Sequence, residues 1–142
     1  MIEWDLKCKA DFDRRNIFAI EFDSAIAAEI SDKWKHPCEG AFEYLAIKYP
    51  ESLLQLIASG RLNVEDLTFA AEIAGRIAKP EEVMRALRPL LSHSAAVVRE
   101  GAIYGLATHL DDSLRVELRR ISNEDASAGV RTAAADVADT LV

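Results

Sequence analysis

The feature that most constrains the fold is a Val-Arg-x-x-Ala motif that occurs twice, in "AAVVREGAIYGLA" and in "AGVRTAAADVA". Val130–Arg131 follows Val98–Arg99 by 32 residues, and Ala134 then aligns with Ala102. A further step of 32 residues towards the N-terminus places Asp66 at the first position, before another alanine-rich segment. Because a period of about 30–50 residues in a helical chain is typical of stacked helical hairpins, the repeat predicts such a stack.

Helix start and stop signals recur at matching intervals from residue 24 onwards. Asp23 or Ser24 and Asn63 are residue types that cap helix N-termini, and Pro50 and Pro80 suit the first position of a helix. Pro89 lies late in its segment and is expected to bend the last turn, because proline cannot donate the backbone hydrogen bond. Apolar residues at spacings of three and four fill the segments between these signals. The chain is therefore predicted to form helices of about 10–15 residues joined by short polar links.

The first 23 residues follow a different pattern. "IEWDLKC" alternates apolar and polar residues, and "NIFAIEF" is rich in aromatic and branched side chains. Both patterns favour short β-strands, although "NIFAIEF" is also compatible with a segment that runs into the first helix. The expected organisation is one domain over 1–142, with an N-terminal cap at 1–23, divergent helices at 24–62 and the repeats at 63–142.

Length and charge exclude several classes of protein. A chain of 142 residues can bury a substantial core, and its formal net charge of −7 argues against nucleic-acid binding, which depends on clustered lysine and arginine. No apolar run approaches the roughly 18 residues of a membrane span, and the N-terminal sequence does not resemble a signal peptide. We therefore expect a cytoplasmic protein in which Cys8 and Cys38 are reduced thiols.

The sequence offers no motif for catalysis, for metal binding or for a cofactor. His36, His93 and His109 are scattered, and neither HExxH nor CxxC spacing occurs. Gly101 and Gly105 are four residues apart inside a predicted helix, where glycine lets a neighbouring helix approach closely at a cost in helix propensity. We expect a non-enzymatic protein with no catalytic, cofactor-binding or metal-binding residues.

The segments "LLSHSAAVVREGAIYGLA" and "ISNEDASAGVRTAAADVA" resemble the HEAT-like repeat family, in particular its bacterial short-repeat branch. The resemblance covers about residues 80–142 well and extends more weakly to residue 63. It implies an all-α, right-handed superhelix (a solenoid) of about three helical hairpins with a divergent N-terminal cap. It also implies that Arg99 and Arg131 begin the second helices of their hairpins and bond to acidic or carbonyl groups of adjacent turns. Asp111, Asp112 and Asp125 are the nearest acidic turn residues.

A helical wheel of the second helices indicates which side chains face outward. With Val98 on the buried face, Tyr104 falls on the opposite side, and the 32-residue period places Glu72 and Asp136 in the same row. An aromatic ring between two carboxylates is a candidate stripe for contacts with a partner. The alternative is an ordinary solvated face, with Tyr104 packed on a neighbouring helix. The complete predicted stripe includes the residues one turn below: Glu72, Arg76, Tyr104, Thr108, Asp136 and Thr140.

The resemblance and the acidity together point to a protein-binding module. A small acidic chain of this kind resembles bacterial toxin-neutralising immunity proteins (antitoxins), which would bind and block a basic toxin domain. A scaffold or assembly factor is an alternative within the same family. A nucleic-acid-binding HEAT-like protein is a second alternative, for which a strip of cations on the first helices would be needed. Interleaved glutamates favour a solvated face for that strip instead; the cations are Lys79, Arg85, Arg88, Arg115, Arg119 and Arg120.

Overall fold

The computed structural model describes residues 14–140, and this part of the chain consists of helices and short connections without strands. Helix α1 has its described residues at 14–21. The remaining α-helices are α2 (Ser24–Lys33), α3 (Glu39–Lys48), α4 (Pro50–Ala58), α5 (Val64–Ala74), α6 (Pro80–Leu87), α7 (Ala96–Leu106), α8 (Asp112–Glu124) and α9 (Ala128–Ala138). Two short 3₁₀ turns, Arg88–Ser92 and Ala107–His109, extend α6 and α7. The all-α prediction is confirmed for these residues.

The extended structure expected for "NIFAIEF" is wrong, because residues 14–21 are helical. Ile17, Phe18 and Phe22 are all buried, and the rings of Phe18 and Phe22 stack with their centroids 5.8 Å apart. Burial at spacings of one and four residues fits a helix face, whereas a strand would bury alternate residues. The second predicted strand, "IEWDLKC", lies outside the described residues.

The helix boundaries follow the local signals in the sequence. The Asp23 carboxylate accepts a hydrogen bond from the Ile26 amide at 3.0 Å, and the Asn63 side chain accepts one from the Asp66 amide at 2.8 Å. Pro50 is the first residue of α4. The turn that contains Pro89 is 3₁₀ rather than α-helical, as expected for a proline near a helix end. These capping and proline predictions are confirmed.

The helices pack in two rows. Helices α3, α5, α7 and α9 lie side by side in that order, and we call them the odd helices. Helix α4 packs on α5 and α6, α6 packs on α7, and α8 packs on α9; we call α4, α6 and α8 the even helices. A single hydrophobic core runs between the rows, from Ile17 in α1 to Ala138 in α9.

Small residues bring α5 and α7 into backbone contact. A Cβ atom added to Gly105 would overlap the carbonyl oxygen of Ala71 and would lie 2.8 Å from Cδ1 of Leu87. A Cβ atom on Gly75 would overlap Gly105, and one on Gly101 would lie 2.9 Å from the carbonyl oxygen of Thr68. The two helices are therefore closer than any larger side chain at these positions would allow.

Two arginine–aspartate pairs join parts of the chain that are distant in sequence. Nε and Nη2 of Arg99 each donate to the Asp125 carboxylate at 2.9 Å, while Nη1 of Arg131 donates to the Asp125 carbonyl at 2.7 Å. Arg14 of α1 donates to the buried carboxylate of Asp66 at 3.1 Å, across 52 residues of sequence. Helix α5 therefore also takes part in an arginine–aspartate pair, but its arginine comes from α1.

Candidate functional site

The structure places Glu72, Tyr104 and Asp136 on the neighbouring helices α5, α7 and α9, and each side chain is exposed. Tyr104 keeps 45% of its surface accessible, so packing on a neighbour accounts for only part of the ring. Its hydroxyl makes no hydrogen bond within the described part of the chain. These three residues remain available to a partner.

The lower half of the predicted stripe is engaged within the chain. The Thr108 hydroxyl donates to the carbonyl oxygen of Gly75 at 2.9 Å, and so ties the end of α7 to the end of α5. The Thr140 hydroxyl donates to the carbonyl oxygen of Asp136 at 3.1 Å. Arg76 lies 3.9 Å from the Glu43 carboxylate of α3. The two threonine hydroxyls therefore stabilise helix ends, and Arg76 belongs to the boundary between α3 and α5.

Two carboxylates that the sequence interpretation missed act on Glu72 through their charge. Partial burial, followed by the charges of Glu100 on α7 and Glu39 on α3, raises the pKa of Glu72 above its usual value of 4.5. Glu100 also reaches towards α9, since its Oε2 atom would lie 3.4 Å from a Cβ atom on Gly129. Three neighbouring helices thus contribute carboxylates to one area. The sequence signal that could have found Glu100 is its position four residues before Tyr104, which places both residues on one face of α7.

Large apolar side chains are exposed among these carboxylates. Ile47 on α3 is 86% accessible, Phe69 on α5 is 42% accessible, and Val97 on α7 is also exposed. Each lies three or four residues along its own helix from a glutamate that is not buried, and so shares a helix face with it. We call these faces together the odd-helix surface, and define it by Glu39, Glu43, Ile47, Glu65, Phe69, Glu72, Val97, Glu100, Tyr104 and Asp136.

Most of the cations on or next to the even helices are bonded within the chain. Arg88 donates to the Glu117 carboxylate at 2.7 Å, and Lys79 pairs with Glu51 at 2.5 Å. Arg85 is exposed and has no ion-pair partner among residues 14–140. The other members of the predicted basic strip are also engaged: Arg119 pairs with Asp139, Arg120 pairs with Glu124, and Arg115 donates to the carbonyl oxygens of Ala138 and Thr140.

A small cleft opens at the α3 end of the odd-helix surface. Its volume is about 100 Å³, and it is lined by Glu43, Ala46, Ile47, Ile73 and Arg76. A wider groove of about 360 Å³ runs between α4 and α6, where Leu54, Ala58 and Arg85 contribute to its walls. The cleft is the depression that adjoins the carboxylates and the exposed apolar side chains.

Over residues 14–140, no group of three or more histidine, cysteine, aspartate or glutamate residues is arranged to hold a metal ion. No helix in that range combines the length and the apolar content needed to cross a lipid bilayer. Comparison of the chain with protein-family models, with curated proteins and with solved structures found no match.

Proposed function

We propose that the protein is a non-enzymatic binding module whose odd-helix surface contacts a basic partner protein. The observation that carries this proposal is the difference between the two rows of helices. Most exposed large apolar side chains lie on the odd helices, and five carboxylates there have no ion-pair partner among residues 14–140: Glu39, Glu65, Glu72, Glu100 and Asp136. On the even helices, most carboxylates are paired with cations, and most cations are occupied by carboxylates or backbone carbonyls. Complementary charge guides a partner to a surface, and aromatic and aliphatic side chains supply most of the contact energy.

The raised pKa of Glu72 supports the same proposal. The charged form of Glu72 is less stable in the free protein than that of a fully solvated glutamate, because of its partial burial and then the charges of Glu100 and Glu39. A cation of the partner would neutralise this repulsion. Part of the binding free energy would then come from removing the repulsion between these carboxylates that exists in the unbound protein.

We interpret the architecture as a HEAT-like superhelix. This interpretation is supported by the order of packing among the odd helices and by the 32-residue period of Val98–Arg99 and Val130–Arg131. Glycines bring α5 and α7 into backbone contact. Close packing within the odd row would curve the stack towards that row and make the odd-helix surface concave.

Within the class of binding modules, we propose a toxin-neutralising immunity protein. The net charge of −7, the small size and the acidic odd-helix surface are suited to covering a basic toxin domain. A scaffold or assembly factor would use the same surface, so the behaviour of the partner distinguishes the two. The partner of an immunity protein is toxic when expressed alone and harmless when the two are co-expressed.

The test is affinity capture with the tagged full chain as bait, at low and at high salt. We expect a basic protein that is captured less efficiently at high salt, because screening weakens charge attraction. A triple variant, Glu72→Gln with Tyr104→Ala and Asp136→Asn, should weaken binding of that partner about 30-fold or more. A matched triple variant on the even helices, Glu81→Gln with Asp112→Asn and Val116→Ala, should bind as the wild type does.

Two outcomes would contradict the proposal. One is a partner that binds the odd-helix triple variant as tightly as it binds the wild type. The other is recovery of nucleic acid without protein, with loss of binding on the change Arg85→Ala, because Arg85 is the exposed cation of the even helices that has no described ion-pair partner.

A further inference from the structure

We infer that the cleft between α3 and α5 receives an aliphatic side chain of the partner, with lysine or arginine next to it in the partner's sequence. This inference rests on the proposed function, since it assigns the anchoring point within the odd-helix surface. The partner segment would place one leucine, isoleucine or methionine in the cleft and its cations on the surrounding carboxylates.

The shape and lining of the cleft specify the size and polarity of its occupant. Ala46 and Ile47 of α3 and the buried Ile73 of α5 provide apolar walls. The volume of about 100 Å³ exceeds the roughly 30 Å³ share of one liquid water molecule, and it is smaller than a ~150 Å³ cavity known to hold benzene. A branched or linear aliphatic side chain fits these limits.

The charges around the cleft determine which kind of partner side chain enters it and which kind lies next to it. Arg76 forms one wall and would repel a cation placed inside the cleft. Glu43 is only 3.9 Å from Arg76 in an exposed pair, and such a pair contributes little energy, so Glu43 can accept a second cation from outside. Glu39 and Glu72 add negative charge on α3 and α5. An apolar side chain would fill the cleft, and the cations that flank it in the partner's sequence would pair with the carboxylates around the cleft.

The exposure of Ile47 is the second observation that favours an apolar anchor. Ile47 is 86% accessible, more than the other large exposed apolar residues of the described chain, and its side chain forms one wall of the cleft. Covering an isoleucine side chain in an interface contributes enough energy to change affinity about tenfold or more. A second copy of this chain would bring its own carboxylates against Glu43 and Glu72, so charge complementarity favours a basic partner instead.

The test uses random 16-residue peptides displayed on phage and selected on the immobilised full chain. We expect the selected peptides to carry leucine, isoleucine or methionine beside lysine or arginine. For the strongest binder, Ile47→Ser should raise Kd about tenfold. Val116→Ser is the matched control, because Val116 is 70% accessible and lies on α8 among the even helices, and it should change Kd by less than twofold. Circular dichroism of both variants checks that the fold is unchanged.

A double-mutant cycle identifies the contact. Replacing the aliphatic residue of the peptide by alanine should weaken binding to the wild type about tenfold, yet should have little further effect on the Ile47→Ser variant. Basic peptides whose affinity falls with Glu72→Gln but does not change with Ile47→Ser would contradict the aliphatic anchor and leave the proposed function intact. Peptides whose affinity changes with neither variant, or the absence of any selected binder, would contradict both the anchor and the proposed function.

Discussion

Gly105→Ala is expected to destabilise the protein strongly, although alanine is the better helix former. The added Cβ atom would overlap the Ala71 carbonyl and would lie 2.8 Å from Cδ1 of Leu87, and backbone cannot rotate away as a flexible side chain can. Helices α5 and α7 would have to separate, which would weaken the other close contacts at Gly75 and Gly101. Overpacking of this kind typically costs about 1–3 kcal/mol, and a site bounded by backbone belongs at the upper end.

The gain in helix propensity offsets about 1 kcal/mol of that cost. The net loss of stability is therefore about 2 kcal/mol. This is a large fraction of the roughly 5–15 kcal/mol by which folded domains are more stable than the unfolded state. For a chain of this size, we expect the melting temperature to fall by about 6–10 °C. Urea unfolding followed by circular dichroism at 222 nm measures the difference in free energy directly.

Gly129→Ala is the matched control for this prediction. A Cβ atom at Gly129 would have Glu100 Oε2 as its nearest neighbour at 3.4 Å, and that flexible side chain can move aside. This change is expected to stabilise the protein by up to about 1 kcal/mol through helix propensity. If Gly105→Ala were as stable as the wild type, the packing of α5 on α7 described above would be wrong.

Three further predictions concern the charged residues. Asp125→Asn weakens the two bonds from Arg99, and urea unfolding at pH 6 should show a loss of about 2 kcal/mol. The bonds from Arg99 lower the pKa of Asp125, so the stability that they supply is present above the usual value of 3.8 and is lost as pH falls through the lowered value. The difference in unfolding free energy between variant and wild type should therefore be smaller at pH 3 than at pH 6. An equal difference at the two pH values would refute this reasoning. The pKa of Glu72 is raised, so the stability of its protonated form is present below 4.5 and is lost as pH rises through the folded-state value. Glu72→Gln should accordingly be more stable than the wild type at pH 7, by about 0.5 kcal/mol for so exposed a group, and equally stable near pH 4. A stability loss at pH 7 would show that Glu72 makes a favourable contact instead.

The candidate site was partly predictable from sequence. The 32-residue period correctly placed Glu72, Tyr104 and Asp136 on adjacent helices, because a helical wheel and a repeat length determine which residues share a face. The same pattern could not show that the Thr108 hydroxyl bonds to Gly75, because that bond depends on where α7 ends relative to α5.

Other parts of the site depend on packing between helices. The charges of Glu100 on α7 and Glu39 on α3 act on Glu72 across helices, and the cleft at Ile47 exists only because α3 lies beside α5. The pattern of residues within one helix does not indicate how far these groups lie from groups on other helices. Single-helix patterns therefore predicted the outward rows, and the carboxylate grouping and the cleft came from the tertiary arrangement.

By itself, the sequence determined where several helices begin, since a cap such as Asn63 or a proline such as Pro50 acts on the backbone within one helical turn. The tertiary structure alone decided the state of residues 14–21, where the same apolar residues suit a strand or a helix until neighbouring helices bury them. It also decided that Arg14 pairs with Asp66, and which carboxylates gather on the odd helices. Ion pairs and surface clusters of this kind join residues far apart in the chain, and their distances are set by how the helices stack.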